Sequence, residues 1–180
     1  CLSLVAAALF GQGLYIKGKA VVAQVLLERA WAATVSGGEP VKPWSWADTW
    51  PVAKVEVGRL QQSAIVLHSA SGQAMAFGPG HMLGTPDPGA PGLSVIAAHR
   101  DTHFRFLEHV VIGDTVRVTT GDGRTHLFRV SETRIVDAAT SGLDPHGTVP
   151  RLALVTCYPF GALTEGPLRY VVLAEHVSAL

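Results

Sequence analysis

The chain has 180 residues, 48% of them apolar and only 16% charged, with 19 Gly and 11 Pro. That is room for one ordinary domain with a core and many turns, and it excludes a disordered chain, whose marks are low apolar content and high charge. The 14 basic and 14 acidic residues cancel and form no block of one sign, so no basic face for nucleic acid is expected.

Residues 1–16 come first. Leu2 to Ile16 are almost all apolar. The stretch is shorter than the about 20 residues that cross a bilayer, and it reads as a truncated membrane anchor or signal segment. Lys17 and Lys19 follow at once, which on charge alone favours the cytoplasmic side for what comes next.

Residues 17–51 form an extension. Lys17 to Val35 lacks Pro and carries Val21, Val22, Val25, Leu26, Ala30 and Ala33 at helical spacings, so an amphipathic helix is predicted, ended by Ser36-Gly37-Gly38. Three of the four Trp, at Trp44, Trp46 and Trp50, then cluster between prolines. Such a loop packs on its domain through its rings, or offers a sugar- or peptide-binding platform.

Residues 52–180 switch to a period of two. Val55 and Val57 alternate with Lys54 and Glu56, and Val116 and Val118 with Thr115, Arg117 and Thr119. Further apolar runs at Ala64–Leu67, Ser94–Ala98, His126–Val130, Thr133–Val136, Arg151–Thr156 and Leu168–Leu173 are bounded by turn residues. Eight short strands in this arrangement predict a mainly β domain, an antiparallel-rich barrel or sandwich. A helical turn at Phe104–His109 is the only interruption expected.

Three windows carry chemistry. Leu152 to Cys157 reads as a strand that Pro159 must stop, leaving a thiol at a rigid strand end. The other cysteine, Cys1, could pair with it, but a free Cys157 is the more natural reading, either as a nucleophile or as a buried structural thiol. Tyr158 to Pro167 is loop-like, and the next strand opens with Leu168-Arg169-Tyr170. If the two strands pair antiparallel, Arg169 meets Cys157 at one rim. There a guanidinium favours the thiolate form and offers donors to a developing oxyanion, unless it merely lies over apolar neighbours. His99 closes the strand Leu93–Ala98 and could serve the thiol as acid and base. The same window admits a metal reading, because His99 and His103 are four apart with His109 behind. No Glu follows His99 as in the metalloprotease pattern, and no second Cys lies near Cys157.

Together these windows resemble the sortase family. The resemblance rests on Leu154-Val155-Thr156-Cys157 at a strand end, an upstream His99 closing another strand, and Arg169 a dozen residues after the thiol. Ala76-Phe77-Gly78-Pro79-Gly80-His81, His99-Arg100-Asp101-Thr102-His103-Phe104, Gly113-Asp114 and Thr156-Cys157-Tyr158-Pro159-Phe160 extend it from about Val52 to Val177, with wording most like the proteobacterial sortases. Ala98 stands where such proteins usually have Gly. The chain order His before Cys is the reverse of that in papain-like hydrolases.

The resemblance implies an eight-stranded sortase-type β-barrel with short helices and an N-terminal helical extension. It implies Cys157 as nucleophile, His99 as acid and base, and Arg169 as oxyanion or substrate support. Thr156, Tyr158 and His103 are expected to contact substrate. The implied substrate is a protein with an LPXTG-like C-terminal sorting signal, transferred through a thioacyl-enzyme to an amine acceptor with neither metal nor organic cofactor. The resemblance also implies a single-pass attachment to the cell membrane through the N-terminal segment, with the catalytic domain on the periplasmic or extracellular side. The competing reading is a non-catalytic, membrane-tethered β-barrel that binds a peptide partner.

Overall fold

The structure is a computed structural model that describes residues 2–164 and 166–177, with side chains from residue 18 onward. A long helix, α1 (Leu2–Gly37), leads into eight strands: β1 (Pro51–Val57), β2 (Gln62–Leu67), β3 (Gly80–His81), β4 (Gly92–Ala97), β5 (Thr115–Thr120), β6 (Thr125–Asp137), β7 (Pro150–Cys157) and β8 (Leu168–His176). They close into a barrel in the order β1-β2-β3-β4-β7-β8-β6-β5. Closure comes from β1 against β5, with Val55 opposite Val118.

The alternation that predicts β1 is visible in its burial. Ala53, Val55 and Val57 are fully buried, while Val52, Lys54 and Glu56 between them are only half-buried. These side chains point inward with Val116, Val118, Phe128, Leu152, Leu154 and Val172 to form the barrel core, which Phe104 and Leu107 plug. β4 and β7 are buried on both faces. Their outward residues Leu93, Val95, Ala153 and Val155 join Val171 of β8 in a second apolar cluster outside the barrel, with Leu143 packed against it.

Strands were expected at His126–Val130 and Thr133–Val136; the structure joins them into the single β6. A bulge between Val130 and Glu132 shifts the register there, which resets the alternation and mimics a strand break. The eighth strand is instead β3, two residues long and too short to show any period. The helical turn near Phe104 is present at Arg105–His109, but it is not the sole interruption. A turn at Gly58–Leu60 and a short helix α2 (Gly72–Met75) also occur, the latter capped by Ser71 Oγ accepting from the Ala74 N–H.

α1 ends as its Ser-Gly-Gly run predicts. Gly38 takes a left-handed φ of +72°, and its N–H reaches the Thr34 carbonyl at 2.8 Å. The helix docks through Leu27 and Trp31 on Ile65, Leu67 and Ala74, a contact of about 1.5–3 kcal/mol for each large side chain removed from water. Two of the clustered tryptophans pack on the domain: Trp44 lies edge-on to Phe77 at 5.1 Å, and Trp50 stacks on His68 at 4.1 Å. Trp46 projects outward, 83% exposed. The side chains of the apolar segment at residues 1–16 lie outside the described residues. Among the described residues no helix is long and apolar enough to cross a membrane.

Candidate active site

Three strand ends build the site. β4 and β7 run parallel and in register up to Ala97 opposite Val155. The Ala98 N–H continues this ladder to the Val155 carbonyl at 3.1 Å, and Thr156 Oγ1 donates to the Ala98 carbonyl at 2.7 Å. Two residues past the last ladder pair, the parallel strands therefore carry His99 and Cys157 side by side. β7 and β8 run antiparallel, and their last pair is Cys157 opposite Arg169. Cys157 has a free, half-buried thiol; Arg169 is half-buried and His99 exposed.

All three side chains line one cavity of about 510 Å³, whose walls are mostly apolar. Val95, Val155 and Val171 form its floor, and Met82 and Leu83 stand on one side with Leu143 and Pro145 among its other walls. A cavity of about 590 Å³ lies elsewhere, beside Trp50, His68 and His126, and contains none of the three. The smaller one is the candidate site, because only it brings a thiol, an imidazole and a guanidinium together.

The long segment between β7 and β8 is tied down from both ends. Arg169 Nη1 donates to the carbonyls of Gly166 and Leu168, at 2.8 and 2.9 Å. Arg100, next to His99 and only 7% exposed, donates through Nη2 to the carbonyls of Ala162 and Thr164, at 2.5 and 2.9 Å. Its Nε lies 3.4 Å from Asp101. The peptide between Tyr158 and Pro159 is cis.

The remaining residues expected at the site are placed differently. Thr156 borders the cavity but is 2% exposed, and its hydroxyl proton is committed to Ala98. Its hydroxyl is a tie between strands. Tyr158 lies outside the cavity lining, against Phe160 and Tyr170. His103 also lies outside it, half-buried and bonded to the backbone of Ala76. Burial pushes the His103 imidazole below the ordinary histidine range, and the nearby His99 adds to this, while the bond to Ala76 opposes it. Among the described residues no three His, Cys, Asp or Glu side chains gather as metal ligands.

Sequence reasoning missed the cavity wall at Met82, Leu83, Gly84 and Thr85. The only local signal was the Gly-Pro-Gly-His run just before it.

What this arrangement can do is plain chemistry. A thiol can attack a carbonyl, an imidazole beside it can carry the proton, and a guanidinium can donate to the oxygen that gains charge.

The sortase domain family matches residues 55–177. Sortase D of Bacillus subtilis (strain 168) is 27% identical over 125 residues, which cover 69% of this chain and 63% of that protein, so the chain matches less than two thirds of that relative's length. Sortase C-1 of Actinomyces oris superposes with a TM-score of 0.64 at 26% identity, over 72% of this chain and 75% of its own. The Clostridium perfringens sortase D5 transpeptidase superposes with a TM-score of 0.70 at 18% identity, over 88% and 99%, a likeness of fold. With a closed eight-stranded barrel and a family match over most of its length, the chain belongs to the sortase family.

Proposed function

We propose that the chain is a cysteine transpeptidase acting on proteins with an LPXTG-like sorting signal. The thiolate of Cys157 attacks the carbonyl of the signal's Thr, and the resulting oxyanion takes hydrogen bonds from Arg169. The C–N bond to the following residue breaks, the departing amine takes a proton from His99, and a thioester to Cys157 remains. An acceptor amine then attacks the thioester and gives its proton to His99. The Cys157 thiolate leaves, and a new amide has formed. Every proton and bond is accounted for by the three side chains and two substrates, so the scheme uses neither metal nor organic cofactor.

The observation that carries this reading is the pairing of Cys157 with Arg169, with His99 at the matching position of the neighbouring parallel strand. The apolar cavity offers a bed for an extended peptide beside the thiol. The proteobacterial wording, the single-pass membrane attachment and the periplasmic or extracellular placement belong to the same proposal.

The test is direct. Incubation with a peptide carrying the signal should give a mass adduct on Cys157, and Cys157→Ala should abolish both adduct and transfer. His99→Ala should abolish transfer without unfolding the chain. An adduct of equal yield in Cys157→Ala would refute the reading.

A further inference from the structure

The mechanism leaves one buried imidazole unused. His81 is 6% exposed and sits in β3. Its backbone is fixed on both sides: Gly80 pairs with Leu67 of β2, and Gly80 and His81 face Ala97 and Ile96 of β4. Gly80 also approaches the β2 exit so closely that a Cβ there would lie 2.2 Å from the Ser69 carbonyl oxygen. The ring therefore projects from an anchor that cannot easily move.

What the ring holds is the cavity wall. Met82, Leu83, Gly84 and Thr85 follow at once and line the cavity that contains Cys157. They form a turn in which the Thr85 N–H reaches the Met82 carbonyl at 3.2 Å and Gly84 takes a φ of +85°. Met82 and Leu83 are 42% and 62% exposed, so packing does little to hold them.

Hydrogen bonds do the holding, and Thr85 Oγ1 is their hub. It donates its one proton to the Met82 carbonyl at 2.8 Å and accepts from the Val95 N–H at 3.2 Å. Its third contact, His81 Nε2 at 3.2 Å, must then be a donation from the ring. The other neighbour of Nε2 is the Pro86 carbonyl at 3.0 Å, which can only accept. Two acceptors facing one ring nitrogen fix the tautomer: Nε2 carries the hydrogen. Nδ1 is left towards the exposed carboxylate of Asp87, at 3.9 Å.

We propose that His81 is a substrate-positioning residue: its Nε2–H fixes Thr85 and Pro86, and so sets the Met82–Thr85 wall against which the bound peptide packs. This rests on the reading that the cavity receives the sorting signal, and it adds a residue on which the reach of that wall depends. His81 acts through the wall. It touches neither the thiol nor the reacting carbonyl in the scheme.

Three variants separate this from a general structural role. His81→Gln keeps an amide N–H near the Nε2 position, His81→Asn puts one only near Nδ1, and His81→Phe fills the space with no donor. With a quenched fluorescent peptide built on Leu-Pro-X-Thr-Gly, the Phe and Asn variants should raise KM about tenfold and leave kcat within about threefold. His81→Gln should stay within about threefold of the wild type in both. Alkylation of Cys157 by iodoacetamide, which needs no peptide wall, should proceed at the wild-type rate in all three. If His81→Phe fails to fold, the contrast between Asn and Gln decides. The inference is overturned if KM does not rise in the Asn variant, if Gln is as impaired as Asn, or if kcat and alkylation fall together with KM. A wild-type chain that forms no adduct on Cys157 would instead sink the functional reading, and this inference with it.

Discussion

Thr156→Val isolates the bond that holds the site's two parallel strand ends together. Valine keeps the shape of the side chain and removes its donor. Thr156 is 2% exposed and donates to the Ala98 carbonyl at 2.7 Å, so water cannot replace what is lost. A hydrogen bond of this kind contributes about 1 kcal/mol net, and a buried carbonyl left without its donor costs about 1–3 kcal/mol. For a domain of this size each kcal/mol moves the melting temperature by roughly 2–4 °C, so the variant should melt roughly 2–12 °C below the wild type. Thr156→Ser, which keeps the hydroxyl, should recover most of that loss. Because the proton is already committed to Ala98, KM for a signal peptide should change less than about threefold in Thr156→Val. Calorimetry and steady-state kinetics on the three proteins check both halves. Equal melting temperatures for Thr156→Val and Thr156→Ser, or a KM effect without a stability effect, would refute the strand-tie argument and return Thr156 to the substrate.

Other perturbations follow from the same geometry. Arg169→Ala should slow thioacyl formation about 10²–10³-fold if the guanidinium serves the oxyanion, read in single-turnover assays; a loss below about tenfold would leave it only the task of bracing the Gly166 and Leu168 carbonyls. Gly80→Ala places a Cβ 2.2 Å from Ser69 O and 2.5 Å from Ala70 Cα, backbone atoms that cannot rotate aside, so urea denaturation should show a loss of about 1–3 kcal/mol, and an unmoved midpoint would contradict the close approach. Acid should destabilise the fold in two stages. Burial depresses His103 and His126 from 6.5, so below that value the unfolded chain binds more protons and stability falls with pH until the folded imidazoles protonate. Asp114, held down by its bond to Arg59, and Asp122, pushed down to about 2 by the Thr120 hydroxyl and the Arg124 N–H, add a second loss below 3.8. Melting temperatures between about pH 8 and about pH 3 should fall through both windows, and Asp114→Asn should flatten the lower one.

Strands with a clean alternation were legible in the sequence, because burying one face imposes the period directly on the residues. β1 and β5 are such strands, paired Val55 to Val118 across the closure of the barrel. β3 was not legible, since two residues carry no period, and β6 looked like two strands because the bulge at Val130/Glu132 turns its side chains over. Two errors of opposite sign thus left the strand number at eight. The juxtaposition of Cys157 and Arg169 followed from antiparallel pairing across the loop from Tyr158 to Pro167. The wall at Met82–Thr85 was hidden, because what places it there is a network through His81 and Val95, and no local pattern encodes that. The resemblance implies substrate contact for Tyr158 and His103; their intramolecular partners, Phe160 and Tyr170 for the one and the backbone of Ala76 for the other, were announced by no local pattern.

The sequence distances between the three groups are themselves a consequence of the topology. Arg169 follows Cys157 closely because antiparallel neighbours need only a loop between them. His99 lies far upstream because β4 and β7 are parallel, and parallel neighbours cannot be joined by a tight turn. The chain uses the intervening residues to build β5, which closes the barrel against β1, and β6, which pairs with β8. Had β4 met β7 antiparallel, His99 would stand at the far end of the barrel from the thiol. What fixes the site is therefore the register of β7 between its two neighbours. A slip of one residue there would turn every side chain of the strand to the other face, moving Cys157 out of the cavity and Thr156 or Tyr158 into its place. The Thr156–Ala98 bond, at the very end of that ladder, is placed where it resists this slip most directly.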